Sequence, residues 1–224
     1  MPVCELCQAI DPAVRDCSLQ RHLHSGQQRI VTSSRHATAV PTIGAFTPGY
    51  LLVVPTRHVP SLGLLSDEEL MGVEHLSREV ADRLHFAYRR PILAFEYGLN
   101  LPRGRRIAHG HLHMLPTTAD LAHWLQDRLE GYEITGLTGL PRTADASYIA
   151  VQDQSGELTC YPVPNDAEPR LRLREVVAAL DPRIEDTAWD WQRHPFPEQM
   201  RATVDDLLPL PRVGAVQPQP AVTR

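Results

Sequence analysis

The 224-residue chain contains no lysine, and all 22 of its basic side chains are arginine. That excludes a P-loop lysine, a Schiff-base lysine and a lysine general base. Any phosphate must be met by arginine, histidine or backbone amides. No stretch approaches the roughly 20 apolar residues of a membrane span. The first ten residues carry neither a basic start nor an apolar run of a secretory leader. No membrane partner and a cytoplasmic location are the expectation. An overall basic field is missing too, because the net charge is −5. This argues against a nucleic-acid partner, although Arg103, Arg105 and Arg106 cluster locally. Cysteine is sparse: Cys4, Cys7, Cys17 and Cys160. In a reducing compartment the Cys4-x-x-Cys7 pair reads as metal or redox chemistry before a structural disulfide.

What is present suggests an α+β fold. Leu51–Pro55 is an apolar run closed by proline, read as a buried strand. Residues 66–89 form the clearest helix. Ser66 and Glu69 make a capping box, and Leu70, Val73, Leu76, Val80 and Leu84 trace one apolar face. Residues 92–97 and 107–116 read as two further strands, and residues 29–40 carry short mixed runs compatible with strands. After Pro116 the pattern predicts a helix over about 119–130, a hairpin from 147–152 and 157–163 around Asp153-Gln154-Ser155-Gly156, and helices near 170–180 and 198–208. The expected organisation is a catalytic domain over 1–118, a helical and hairpin extension over 119–208 packed on it, and a disordered tail over 209–224 rich in Pro, Gln and Val.

The chemistry concentrates at Ile107-Ala-His109-Gly-His111-Leu-His113-Met-Leu-Pro116. On a strand, His109, His111 and His113 share one face, while Ala108, Gly110, Leu112 and Met114 turn toward a core. Three imidazoles on one face are poor core filler, since buried polar rings need partners. A solvated edge strand is the bland alternative, and it sits badly with the apolar opposite face. Gly110 weakens a strand, so another backbone or a ligand is expected to come close there.

His109-Gly-His111-Leu-His113-Met-Leu resembles the signature of the histidine-triad (HIT) superfamily, His-x-His-x-His with apolar neighbours. Pro48-Gly-Tyr50-Leu-Leu-Val-Val-Pro55-Thr-Arg57-His58-Val59 resembles that family's "PGHxLVIPKxHV" stretch, and Phe95-Glu96-Tyr97-Gly98 resembles the "FEHG" of one bacterial branch. The resemblance covers residues 4 to 116 and extends loosely to Trp189-Asp190-Trp191. It implies an antiparallel sheet with a long helix on one face, related to the galactose-1-phosphate uridylyltransferase fold. It also implies cleavage at the α-phosphate of a nucleotide through a covalent nucleotidyl-His111, with His113 contacting the phosphate oxygens and a homodimer as the assembly. Water or another acceptor would resolve the intermediate. By the same resemblance Cys4, Cys7, His58 and His109 would hold a structural Zn²⁺, because two thiolates and two imidazoles close a tetrahedral site. His109 would then pin the reactive strand.

The pattern departs from the family in several places. No carboxylate for ribose stands at Val40-Pro-Thr42-Ile-Gly44, Gly104-Arg105 replaces a usual "GQ", and Tyr97 stands where the branch has histidine. Arg170-Leu171 replaces an expected Ser-Gln, whereas Arg174 matches. Thr42, Asn100, Arg105 and Arg106 are the candidate substrate contacts. Other readings stay open: a phosphorylase or nucleotidyltransferase with a non-water acceptor, a non-catalytic zinc- or nucleotide-binding protein, and a redox protein using Cys4 and Cys7.

Overall fold

A computed structural model describes residues 4–98, 109–164, 172–185 and 189–210. Asn100, Arg105 and Arg106, three of the expected substrate contacts, lie outside the described residues, as do Ile107 and Ala108. Eight strands form one antiparallel sheet: β1 (Thr32–Ser33), β2 (Ala37–Pro41), β3 (Leu51–Pro55), β4 (Ile92–Gly98), β5 (Leu112–Pro116), β6 (Tyr132–Glu133), β7 (Tyr148–Gln152) and β8 (Leu158–Pro162). Their spatial order is β1-β2-β3-β5-β4-β7-β8-β6. The sheet therefore draws strands from both sides of residue 118. Both of its edges are two-residue strands, a common way to blunt edge-to-edge pairing.

Helix α2 (Asp67–Tyr88) packs on one face. It starts as the sequence indicates, with the Ser66 hydroxyl accepting from Glu69 N and the Glu69 carboxylate accepting from Ser66 N. Leu70, Val73, Leu76, Val80 and Leu84 are all essentially inaccessible to solvent. They meet Leu51, Val53, Ala94, Leu112, Met114 and Ala150 of the sheet. Burial of each such side chain contributes about 2 kcal/mol. The helix ends where Arg89 adopts the left-handed conformation, with φ 52°.

The opposite face carries Val40, Leu52, Val54, Leu93, Phe95, Leu115, Ile149 and Val151. It is covered by α1 (Glu5–Ile10), α3 (Leu121–Gln126), α4 (Leu173–Leu180) and α5 (Pro197–Leu207). Helix α3 is shorter than the expected 119–130: buried Leu121 and Leu125 and half-buried Trp124 lie in it, and half-buried Leu129 packs from the turn that follows. The hairpin forms at the expected place, with the Asp153 carboxylate accepting from Ser155 N and Glu157 N in its turn. Helix α1 is an element that polar, turn-rich residues 1–30 do not announce. Arg29 holds it: Nε donates to Ala9 O at 2.7 Å, and Nη2 donates to Asp11 O and to Val14 O at 2.8 Å. These bonds satisfy carbonyls at and beyond the helix C-terminus, where the intrahelical ladder runs out.

Candidate active site and metal centre

The histidine segment differs from the expected uniform strand. Strand β5 begins only at Leu112, and His109 lies in a bend before it. The reason is a close approach of backbone. Gly110 N donates to Val59 O at 2.7 Å, and a Cβ at Gly110 would stand 2.8 Å from Leu62 N and from the Ser61 carbonyl carbon. The segment after β3 thus crosses directly over Gly110, which accounts for the glycine. Leu112 and Met114 do turn into the core beneath α2, as alternation requires. His109 turns away from His111 and His113 toward the N-terminal helix.

There, one ligand atom from each of Cys4, Cys7, His58 and His109 lies within 4.8 Å of the others. His109 Nδ1 is 3.6 Å from Cys4 Sγ and 3.5 Å from Cys7 Sγ, and His58 Nδ1 is 3.3 Å from Cys7 Sγ. Tetrahedral zinc, with bonds of about 2.3 Å to sulfur and about 2.0 Å to nitrogen, separates sulfur from nitrogen by about 3.5 Å. The four side chains fit that ion. His109 Nε2 lies 3.0 Å from Pro55 O. A carbonyl only accepts, so Nε2 carries the proton and Nδ1 presents its lone pair to the cluster. Burial, above all, lowers the His109 pKa to about 4, which keeps the ring neutral. Burial first, then Cys4, pushes the Cys7 thiol up to about 11; a cation between them reverses that preference, since a coordinated thiol is deprotonated. The N-terminus of α1 places both sulfurs: Cys4 is its N-cap residue and Cys7 is one turn in.

His111 and His113 form a second centre on the other side of the bend, with ring centroids 4.7 Å apart. His111 Nδ1 is 2.7 Å from His109 O. The same logic puts the proton on Nδ1 and leaves the lone pair on Nε2. His113 sits in β5 opposite Leu52 of β3 and Phe95 of β4. Side chains directly opposite share a face, and the Phe95 ring stacks on His113 at 4.6 Å. The Tyr50 hydroxyl lies 3.0 Å from His113 Nδ1, and Tyr50 itself is wholly buried. Burial is the main reason that the pKa of His111 is lowered and that of His113 lowered further, with Arg174 adding to both. Two neutral imidazoles at neutral pH follow.

Three neighbours carry more than local sequence patterns revealed. Tyr50, in the "PGY" turn, buttresses His113. Arg174, from α4, lies against the rings of Phe46 and Tyr50. Glu96, in "FEYG", is buried on the α2 face; it accepts from Leu62 N at 2.6 Å and from Tyr148 OH at 2.7 Å, so it fixes the turn that covers Gly110. Burial raises Glu96 to about 7. Thr42 is buried next to this region; its hydroxyl donates to Ile43 O at 3.3 Å and its N–H to Tyr50 O. Cys17 and Cys160 are buried, free thiols away from the cluster. Among the described residues no helix is long and apolar enough to cross a membrane.

No curated protein matches the chain. Among solved structures, a HIT family protein from Bacillus anthracis is 22% identical, covering 51% of this chain and 73% of its own, with a TM-score of 0.41. A protein from Streptococcus mutans is 20% identical, covering 52% of this chain and 66% of its own, with a TM-score of 0.41. A Hit-like protein involved in cell-cycle regulation from Bartonella henselae is 22% identical, covering 39% of this chain and 66% of its own, with a TM-score of 0.35. The family model described as the HIT domain matches residues 25–120, which take in β1 to β5, α2 and all three histidines of the motif. Over residues 25–120 the chain is thus similar to the HIT domain.

Proposed function

We propose that the protein is a nucleotide hydrolase or nucleotidyltransferase that acts at an α-phosphate through His111. The observation that carries this reading is the bond from His111 Nδ1 to His109 O at 2.7 Å. It leaves a neutral imidazole whose Nε2 lone pair is free to attack phosphorus, which suits a nucleophile working near neutral pH. In the first step a bond forms from Nε2 to phosphorus, and the bond to the leaving group breaks, its electron pair departing with that group. In the second, water or another acceptor attacks phosphorus and loses its proton to solvent, and the N–P electron pair returns to Nε2. Hydrolysis and transfer share this intermediate.

His113 is held by Tyr50 and Phe95 beside His111, where it serves the phosphate oxygens as charge develops on them. Its test is a compare-and-lose pair: His113→Ala should lower turnover while leaving the adduct site intact.

Cys4, Cys7, His58 and His109 would hold Zn²⁺ in a site with no open position, so the ion supplies a cross-link between the N-terminal helix, the post-β3 segment and the histidine bend. The chain's own residues do the positioning of His111: the carbonyl of His109 sets its tautomer, and Gly110 is clamped under Ser61 and Leu62.

The experiment is incubation of the protein with adenosine phosphoramidate and with diadenosine tetraphosphate, followed by intact-mass analysis after acid-free quenching. A nucleotidyl adduct on wild type, absent from His111→Ala, is the expected result. Turnover undiminished in His111→Ala overturns the reading.

A further inference from the structure

We propose that Arg174, reaching the histidine centre from α4, is the residue that binds the negative charge of a phosphorylated ligand there. The inference rests on the proposed function for the identity of the ligand, and on the geometry for the residue.

The guanidinium carbon of Arg174 lies 5.0 Å from the Tyr50 ring centroid and 5.1 Å from that of Phe46. Tyr50 in turn is bonded to His113, whose ring neighbours His111. Arg174 Nε donates to Trp189 O at 3.2 Å, and Nη2 donates to Gly44 O. These carbonyls, with a further hydrogen bond to the Tyr50 side chain, fix the plane and rotation of the guanidinium, whose five N–H donors outnumber these three acceptors. The turn at Gly44 is shaped to allow this. Its φ is +75°, and a Cβ there would stand 2.3 Å from Trp191 Cβ and 3.0 Å from Arg174 Nη2.

The charge arrangement points the same way. Arg57, Arg78, Arg90, Arg142 and Arg183 each pair with a carboxylate. Among the described residues Arg174, like Arg29, pairs with no carboxylate. It is a half-buried cation lodged against two aromatic rings and two neutral carbonyls, at the side of the histidine centre. Arg29 shows that a buried clamp can do without a carboxylate; what sets Arg174 apart is its place against Tyr50, the side chain bonded to His113. A guanidinium left without a counter-charge next to a nucleophile suits an arriving phosphate, which it meets with charge-assisted bonds. In a chain without lysine this task falls to arginine, and here it comes from outside the HIT-like residues 25–120. The segment beyond residue 120 thereby contributes a ligand-binding group, in addition to packing on the sheet.

The test is calorimetric binding of AMP, inorganic pyrophosphate and adenosine to wild type, Arg174→Gln, Arg174→Lys and His111→Ala, with thermal melts as a folding control. Loss of one charge-assisted contact weakens a ligand by about 10- to 100-fold. Arg174→Gln should lose that much affinity for AMP and pyrophosphate and keep its affinity for adenosine, whereas Arg174→Lys should recover part of it. His111→Ala should still bind AMP. Equal losses for adenosine and AMP would make Arg174 a clamp and overturn the proposal, as would unchanged AMP binding in Arg174→Gln or wild type that binds neither anion. The two readings separate cleanly. If wild type forms no adduct yet Arg174→Gln loses AMP, the anion site stands and the nucleophile falls. If the adduct forms equally in wild type and Arg174→Gln, with AMP affinity unchanged, the reverse holds.

Discussion

Replacement of Glu96 by glutamine should change how stability depends on pH. Glu96 is 1% exposed, and its carboxylate accepts Leu62 N at 2.6 Å and the Tyr148 hydroxyl at 2.7 Å. Burial raises its pKa from 4.5 to about 7, against the opposing pull of those two donors. Between these values the folded state holds a proton that the unfolded chain has released. Stability therefore falls as pH rises through that window and levels off above it. At about 1.4 kcal/mol per pH unit, the loss from this one group amounts to about 3 kcal/mol. Glutamine has no such titration. The assay is urea unfolding of metal-loaded wild type and Glu96→Gln at steps from pH 5 to pH 8. Titration of cysteines, histidines and other carboxylates is common to both proteins and cancels in the difference. Wild type should lose about 3 kcal/mol relative to Glu96→Gln across the range. Parallel stability curves would refute the reasoning and mean that Glu96 is solvated or already ionised at pH 5.

Other consequences follow from the same geometry. Gly110→Ala puts a methyl group 2.8 Å from the backbone of Ser61 and Leu62; it should cost about 1–3 kcal/mol of stability and depress adduct formation, seen by chemical melts alongside mass analysis. Metal analysis should find about one zinc per chain, lost in Cys4→Ser and Cys7→Ser, and chelation should lower the melting temperature of wild type while leaving those variants unchanged; equal, negligible zinc in all three would end the zinc assignment. Tyr50→Phe removes the hydroxyl 3.0 Å from His113 Nδ1 and should cost about 1 kcal/mol of stability or transition-state binding, read as lower kcat with little change in KM; a rise in KM alone would place Tyr50 in ground-state binding instead.

Local patterns exposed much of this fold. The capping box and the apolar stripe of α2 are properties of contiguous residues, so they survive into the structure almost residue for residue. The same holds for the apolar run of β3 and the Asp153 turn between β7 and β8. Elements that depend on distant partners were less legible. Helix α1 is six residues long and relies on Arg29 for its C-terminal bonds, a contact no periodicity records. Strand β5 is shorter than its alternation suggests because the crossing backbone at Ser61 and Leu62 bends the chain at Gly110. Gly110 did signal that crossing, as a glycine where a strand would not want one.

The candidate site divides in the same way. The residues His109, His111, His113, Cys4, Cys7 and His58 stand in motifs, and four of them meet within 4.8 Å of one another. Tyr50 and Arg174 gain their places from tertiary packing of a β-turn against a helix some 120 residues away in sequence. Spacing alone assigns such residues nothing.

The most direct measurement is the intact mass of the protein after brief reaction with adenosine phosphoramidate, wild type against His111→Ala, with tandem mass spectrometry to locate any adduct. The account predicts an adenylyl group on His111 in wild type and none in the variant. An adduct on another residue, or turnover without an adduct that persists in His111→Ala, would contradict it.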